Sequence, residues 1–296
     1  DFDRYSLERF RAIDAFIDAL RRADILASPY FYYFNDGTQR AMTPEQDRAY
    51  IRYGMARFGA YANVMPVLSN EVEQKHTFRT DGRMDAYDPR SHAWANEMGP
   101  YLAQRAVFGL PVTVHNPMEN FAATNPGFYT LLRDWPFPWT DYMLRQIQVG
   151  ALGAAPELRD DLPEQTLAVY HERSYARHNE LLIDLRRHGV PIINEEPGYE
   201  MGGASWDDGR VDGRSWNSQT AWRMLATLWT AVTAGAYTIW GNPATYEMGD
   251  PIWGLLDSIV PQRLRILHDT MISLPYWQME PANELVSAGE VEIEGV

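Results

Sequence analysis

Apolar positions along the chain alternate between two spacings. Leu7, Phe10, Ile13, Ile17 and Leu20 recur at helical intervals, and the aromatic, β-prone run 25–34 follows them. Thr43-Pro44-Glu45-Gln46 combines an N-cap, a proline at the first helical position and a glutamine at the capping-box position. It opens a helix that the pattern carries to Phe58. Residues 62–69 then read as a strand, against which Pro66 counts because proline lacks a ladder donor. The same unit recurs. Helices are predicted over 91–106, 164–188, 217–234 and 261–273, with Gly189 and Gly235 at two of their ends, and strands over 110–115, 142–149, 190–194 and 237–241.

Strands alternating with helices predict an α/β fold with a parallel sheet and right-handed crossovers. A closed barrel of this kind has eight strands. The pattern supplies six, opens on a helix, and ends on a helix with a proline-rich exit. We therefore expect a (β/α)8 TIM barrel lacking its first two strands in this chain, with strands three to eight visible and the missing ones carried by a longer natural protein. An open doubly wound sheet is the rival, but no glycine-rich turn follows the first strand. The expected division is a catalytic barrel over 1–280 and an exit segment over 281–296.

Composition narrows the chemistry. A net charge of −14 offers no basic field for phosphate backbones, so neither nucleic acid nor an anionic membrane surface is expected as a partner. The absence of cysteine excludes disulfides, thiol catalysis and zinc-thiolate sites. No run of apolar residues is long enough to span a bilayer, so no membrane insertion is expected. Ten Trp and 17 Tyr supply flat faces with polar handles, suited to sugar rings and to a large core alike.

Two acidic clusters stand at strand ends: Ser69-Asn70-Glu71 and Asn194-Glu195-Glu196. On a barrel the C-terminal rim carries the active site, so carboxylates there are candidates for paired work. Two carboxyls about 5 Å apart suit a retaining glycosidase, and a gap of roughly 6.5–9.5 Å an inverting one. His115 ends the fifth strand beside Asn116, and either binds substrate hydroxyls or is a buried imidazole bonded to backbone. Gln148 near the sixth strand end and Trp240 at the eighth are further substrate contacts, with core packing the alternative for Trp240. Asp134-Trp135-Pro136-Phe137-Pro138-Trp139 reads as a stiff aromatic wall contributing Trp135 and Trp139, or else as a hydrophobic plug. Trp206 sits in a loop over 202–215 whose Asp207, Asp208 and Asp212 match no EF-hand spacing, so no metal is expected there. His76 and His92 read as exposed loop residues.

Tyr53-Gly54-Met55-Ala56-Arg57-Phe58-Gly59-Ala60-Tyr61, Asn63-Val64-Met65, Leu68-Ser69-Asn70-Glu71, Pro111-Val112-Thr113-Val114-His115 and Asn194-Glu195-Glu196-Pro197-Gly198-Tyr199-Glu200 occur in this order. Together they resemble the apiosidase-like barrel glycoside hydrolases, within the large clan of retaining barrel glycosidases. The tail Leu274-Pro275-Tyr276-Trp277-Gln278-Met279-Glu280-Pro281 resembles that family's exit toward a C-terminal β-sandwich. The resemblance implies a glycosidase acting on a plant or microbial polysaccharide or oligosaccharide, with no cofactor. It implies Glu71 as general acid/base, although some relatives carry Asp there, and Glu196, before Pro and a Gly-Tyr-Glu segment, as nucleophile. Asn70, Glu195 and Tyr199 would bind or orient substrate. A secreted, periplasmic or cell-surface location follows as an expectation. A non-catalytic carbohydrate-binding barrel and a metal-dependent hydrolase on the same fold stay open.

Overall fold

The computed structural model describes residues 2–34, 38–77, 88–115, 137–147, 174–200, 218–219, 221–242 and 259–285. Its first helix, α1 (Leu7–Arg22), is capped by the Ser6 hydroxyl, which accepts from Arg9 N, and buries Phe10 and Ile17. Strand β1 (Tyr30–Tyr32) follows, then α2 (Pro44–Phe58). The capping box is formed on both sides: Thr43 Oγ1 accepts from Gln46 N, and Gln46 Oε1 from Thr43 N. Strand β2 (Val67–Ser69) starts just after Pro66, whose carbonyl accepts from Thr113 N at 3.2 Å. Proline is tolerated there because only its acceptor is used.

A short helix α3 (Gln74–Thr77) and a longer α4 (Pro89–Ala103) come next, and then bridge-forming residues Thr113 and His115. The remaining elements are β3 (Met143–Arg145), α5 (Ser174–Leu185), β4 (Ile192–Asn194), β5 (Tyr199–Glu200), β6 (Ser218–Gln219), α6 (Ala221–Thr233), β7 (Tyr237–Thr238) and α7 (Ile259–Ile272). Gly189 and Gly235 end their helices at φ +70° and +75°, as the sequence predicts.

Pairing follows chain order. β1 lies parallel to β2, Val67 bridges to Thr113, His115 bridges to Leu144, β3 lies parallel to β4, and β4 to β7. Six stretches, with β5 and β6 set aside, are thus parallel neighbours in chain order, which is the arrangement of successive strands of a TIM barrel. Closure of the barrel is not seen among the described residues. Regular pairing is shorter than predicted, two or three residues per strand: β2 and β4 end at the predicted Ser69 and Asn194, whereas β3 and β7 stop early, at Arg145 and Thr238. β5 and β6 form a separate parallel pair beyond the end of β4.

The main core packs Phe31, Tyr32, Phe34, Ile51, Met55, Leu68, Met98 and Leu102 between strands and helices, and a second cluster joins Met224, Leu225 and Leu228 of α6 to Val260 and Leu267 of α7. No described helix is long and apolar enough to cross a membrane.

Candidate active site

Five segments deliver polar side chains to one cavity. After β2 the backbone keeps its neighbours for a few residues: Asn70 N donates to Tyr32 O at 2.9 Å, and Val72 N to His115 O at 3.2 Å. After β4, Glu195 N donates to Arg145 O at 2.9 Å. These bonds hold the ends of non-consecutive segments side by side, so groups far apart in sequence face a shared space. The cavity, about 230 Å³, is lined by Tyr30, Asn70, His115, Glu195, Glu196, Gly198, Tyr199, Ile239, Trp240, Gly241 and Asn242. At about 30 Å³ per water molecule it would hold roughly eight waters, or about one monosaccharide.

Glu196 accepts from Tyr199 Oη at 2.7 Å and also from the amide of Gln146. Burial pushes its carboxyl up to about 8, the charge of Glu71 adds to this, and the two hydrogen bonds oppose it. Glu195 accepts from Tyr30 Oη, and burial raises it to about 7. Neighbouring carboxyls that repel one another share protons, so at neutral pH this cluster holds protonated and ionised members together.

Glu71 is 8% exposed and sits beside the cavity rather than in its wall. Its Oε2 accepts from Gln74 Nε2 at 2.5 Å and from Asn70 Nδ2 at 3.1 Å. Its backbone has φ +33°, a conformation uncommon for a residue with a side chain. Residues held this way cluster at functional sites, where the surroundings over-determine them.

Asn70 Oδ1 lies 2.9 Å from His115 Nδ1, and the Asn70 amide is already donating to Glu71, so Nδ1 carries the proton. The longer 3.4 Å approach of Glu71 N to that same nitrogen is then not a hydrogen bond. This tautomer leaves Nε2 as an acceptor, and Nε2 is buried without a partner among the described residues. Burial, reinforced by the charge of Arg145, lowers the imidazole to about 3 and keeps it neutral. Nε2 is thus a neutral acceptor buried behind the cavity wall.

The family model for the apiosidase-like catalytic domain matches residues 1–278. The chain belongs to this family. No curated protein sequence matches this apiosidase-like chain. Among solved structures it is similar to one titled glycoside hydrolase, at 14% identity and a TM-score of 0.63, covering 95% of this chain and 58% of that one. It is similar to a glycoside hydrolase family 5 structure from Bacteroides vulgatus, at 14% identity and a TM-score of 0.64, covering 95% and 57%. Another Bacteroides vulgatus structure has 18% identity and a TM-score of 0.60, covering 93% and 44%. The chain spans about half the length of these structures, and at such identities the likeness shows the fold.

Within the apiosidase-like domain, Asn70, His115, Glu195, Glu196, Tyr199 and Trp240, all singled out in the sequence, line the same cavity. Trp240 is pinned by its Nε1, which donates to Glu200 Oε2 at 2.8 Å. Asn116, Gln148, Trp135 and Trp206 lie outside the described residues. Trp139 does not reach the cavity. It stacks on Phe137 at 5.6 Å and fills the space beside Gly99 of α4, where a Cβ would meet its indole at 2.1 Å. The aromatic wall is thus, at Trp139, a hydrophobic plug, because a missing Cβ in α4 makes a slot for the ring. His76 and His92 are also corrected: both lie in helices and are partly buried, His76 N donating to Ser91 Oγ and His92 lying 4.8 Å from Phe137.

Two contributors escape the sequence reading. Gln146 reaches Glu196 one residue beyond β3, where no motif marks it. Glu73 is a fully buried carboxyl raised well above the usual range, first by burial and then by the charge of Glu71, with Glu196 adding. Strand alternation could not have found it, because residues 71–74 form a turn closed by Gln74 N donating to Glu71 O at 2.9 Å.

Proposed function

We propose that this chain cleaves glycosidic bonds of a plant or microbial oligo- or polysaccharide by a retaining double displacement. Glu71 is the acid/base and Glu196 the nucleophile. The observation that carries the reading is that Glu71, beside the cavity at the end of β2, and Glu196, in its wall at the end of β4, are near enough for the charge of Glu71 to raise Glu196. In the first step the ionised Glu196 attacks the anomeric carbon while Glu71 gives its proton to the departing oxygen, leaving a glycosyl ester. In the second, Glu71 takes a proton from water as that water attacks the ester, and Glu196 is released.

Two close carboxyls keep one proton between them, and burial favours it on Glu196. The reactive form carries it on Glu71, with the Glu196 carboxylate held by Tyr199 and Gln146, until esterification of Glu196 removes the charge that retains it. Trp240 and Tyr30 offer aromatic surface to a sugar ring, and His115 backs the same wall. A polymeric substrate places the protein at the cell surface, in the periplasm or outside the cell.

The test is a screen of the purified protein against plant and bacterial cell-wall glycans, with NMR of the first anomer released. Retention of configuration is expected, and Glu196→Gln should abolish turnover while ligand still binds. Turnover by Glu196→Gln at the wild-type rate would remove the nucleophile assignment; an inverted first product would remove the retaining mechanism.

A further inference from the structure

Lys75 is a charged residue with almost no access to water, 3% exposed. An ammonium in such a place requires compensation. Its Nζ donates to Gln39 O at 3.2 Å and lies 3.5 Å from Asp47 Oδ2, itself buried in the first turns of α2. Three rings surround it, with Nζ 5.0 Å from the Trp94 ring, 5.3 Å from Phe34 and 5.8 Å from Tyr32. Cation–π attraction from such faces is favourable where water is excluded. Asp47 Oδ2 also accepts from Trp94 Nε1 at 2.8 Å. None of Lys75, Asp47, Phe34, Tyr32 and Trp94 lines the cavity, so this nest takes no part in substrate contact.

The nest stands at one end of a short turn that has Glu71 at the other. Gln74 N donates to Glu71 O at 2.9 Å and Lys75 N to Val72 O at 3.3 Å, so the turn is internally closed. Ser91 of α4 ties it from a second side, donating to Glu73 O at 2.8 Å and accepting from His76 N at 3.1 Å. Gln74, the residue next to Lys75, makes the 2.5 Å bond to the Glu71 carboxylate. A shift of Lys75 would therefore move Gln74 and relax the φ +33° backbone of Glu71.

We propose that the buried Lys75–Asp47 pair, in its cage of Tyr32, Phe34 and Trp94, is the clamp that positions Glu71 for proton transfer. Lys75 is a positioning residue, acting through Gln74 and the turn. The assignment rests on Glu71 being the acid/base, and the experiment separates the two.

The variant is Lys75→Met with Asp47→Asn, which removes both charges and leaves the Trp94 indole an acceptor. It is compared with wild type and Glu71→Gln on phenyl and dinitrophenyl glycosides of the sugar released in the glycan screen. A dinitrophenolate leaves without a proton, whereas a phenolate needs one. The clamp predicts a kcat/KM loss of about 100-fold on the phenyl glycoside and less than about threefold on the dinitrophenyl one, because kcat/KM reports ester formation and leaves out the water step in which Glu71 is the base. General loosening would reduce both rates equally, and that result, or no loss at all, overturns the proposal. If Glu71→Gln itself shows no dependence on the leaving group, the acid assignment falls, and a crystal structure of the double variant then decides the clamp. Relaxation of the Glu71 backbone away from φ +33° supports it, and an unchanged turn refutes it.

Discussion

Placing Glu195 and Glu196 in one cavity has a cost in stability that depends on pH. Both carboxyls titrate near 4.5 when unperturbed, and the folded protein raises them to about 7 and about 8, with burial the first cause in each case. The folded state therefore holds protons that the unfolded chain has released. This contribution is complete below pH 4.5 and is lost as pH rises toward 7 and 8. Each group removes about 1.4 kcal/mol per pH unit across its window. By pH 8 that amounts to roughly 3 kcal/mol for Glu195 and roughly 5 kcal/mol for Glu196. Water in the cavity screens both charges, and halving the sum leaves about 4 kcal/mol. For a chain of this size the lower end of the usual range, about 2 °C per kcal/mol, converts this to a fall in Tm of about 8 °C. The assay is calorimetry of wild type and of the Glu195→Gln, Glu196→Gln double variant from pH 5 to 9. His115 and His178, both lowered to about 3 by burial, act in the opposite direction below pH 6.5 but do so in both proteins. The difference between the curves reports the carboxyl cluster, including the relief of Glu73, which the charge of Glu196 also raises: the variant should gain on wild type as pH rises. Parallel curves would refute the reasoning.

Asn194→Ala should destabilise the protein by about 3 kcal/mol in chemical denaturation, since the buried Asn194 side chain bonds both Ile147 N at 3.0 Å and Ile147 O at 2.9 Å, and its amide meets His178 Nε2 at 2.9 Å. Gly241→Ala should raise KM with little change in the melting midpoint of distant elements. A Cβ there would stand 2.3 Å from Gly198 O, forcing apart the two loops that carry Trp240 and Tyr199; an unchanged KM would show that this wall does not touch substrate.

That acidic residues stand at the ends of β2 and β4 was legible because barrels put strand ends on one rim, and the residue order at those ends can be read from a one-dimensional pattern. Glu195 and Glu196 were harder to separate. Both line the cavity, and what distinguishes them is the partner each meets: Tyr30 from β1 for Glu195, and Tyr199 with Gln146 for Glu196. The Trp139 reading failed for a related reason. An aromatic beside prolines is the same in sequence whether it faces sugar or helix, and the slot that takes it is made by Gly99, 40 positions away.

The sequence by itself determined the alternation of helix and strand, the Thr43 capping box of α2, the glycine ends at Gly189 and Gly235, and the two acidic strand ends. All of these depend on bonds and side-chain periods within a few residues. Only the tertiary structure decided that Lys75 lies in an aromatic cage beside Asp47, that Glu73 is buried near Glu71, and that Asn194 braces its neighbour strand rather than facing substrate. The physical reason is that burial and electrostatic contact are set by elements that meet in space, and nothing in the local pattern of a charged residue says which of its neighbours will exclude water.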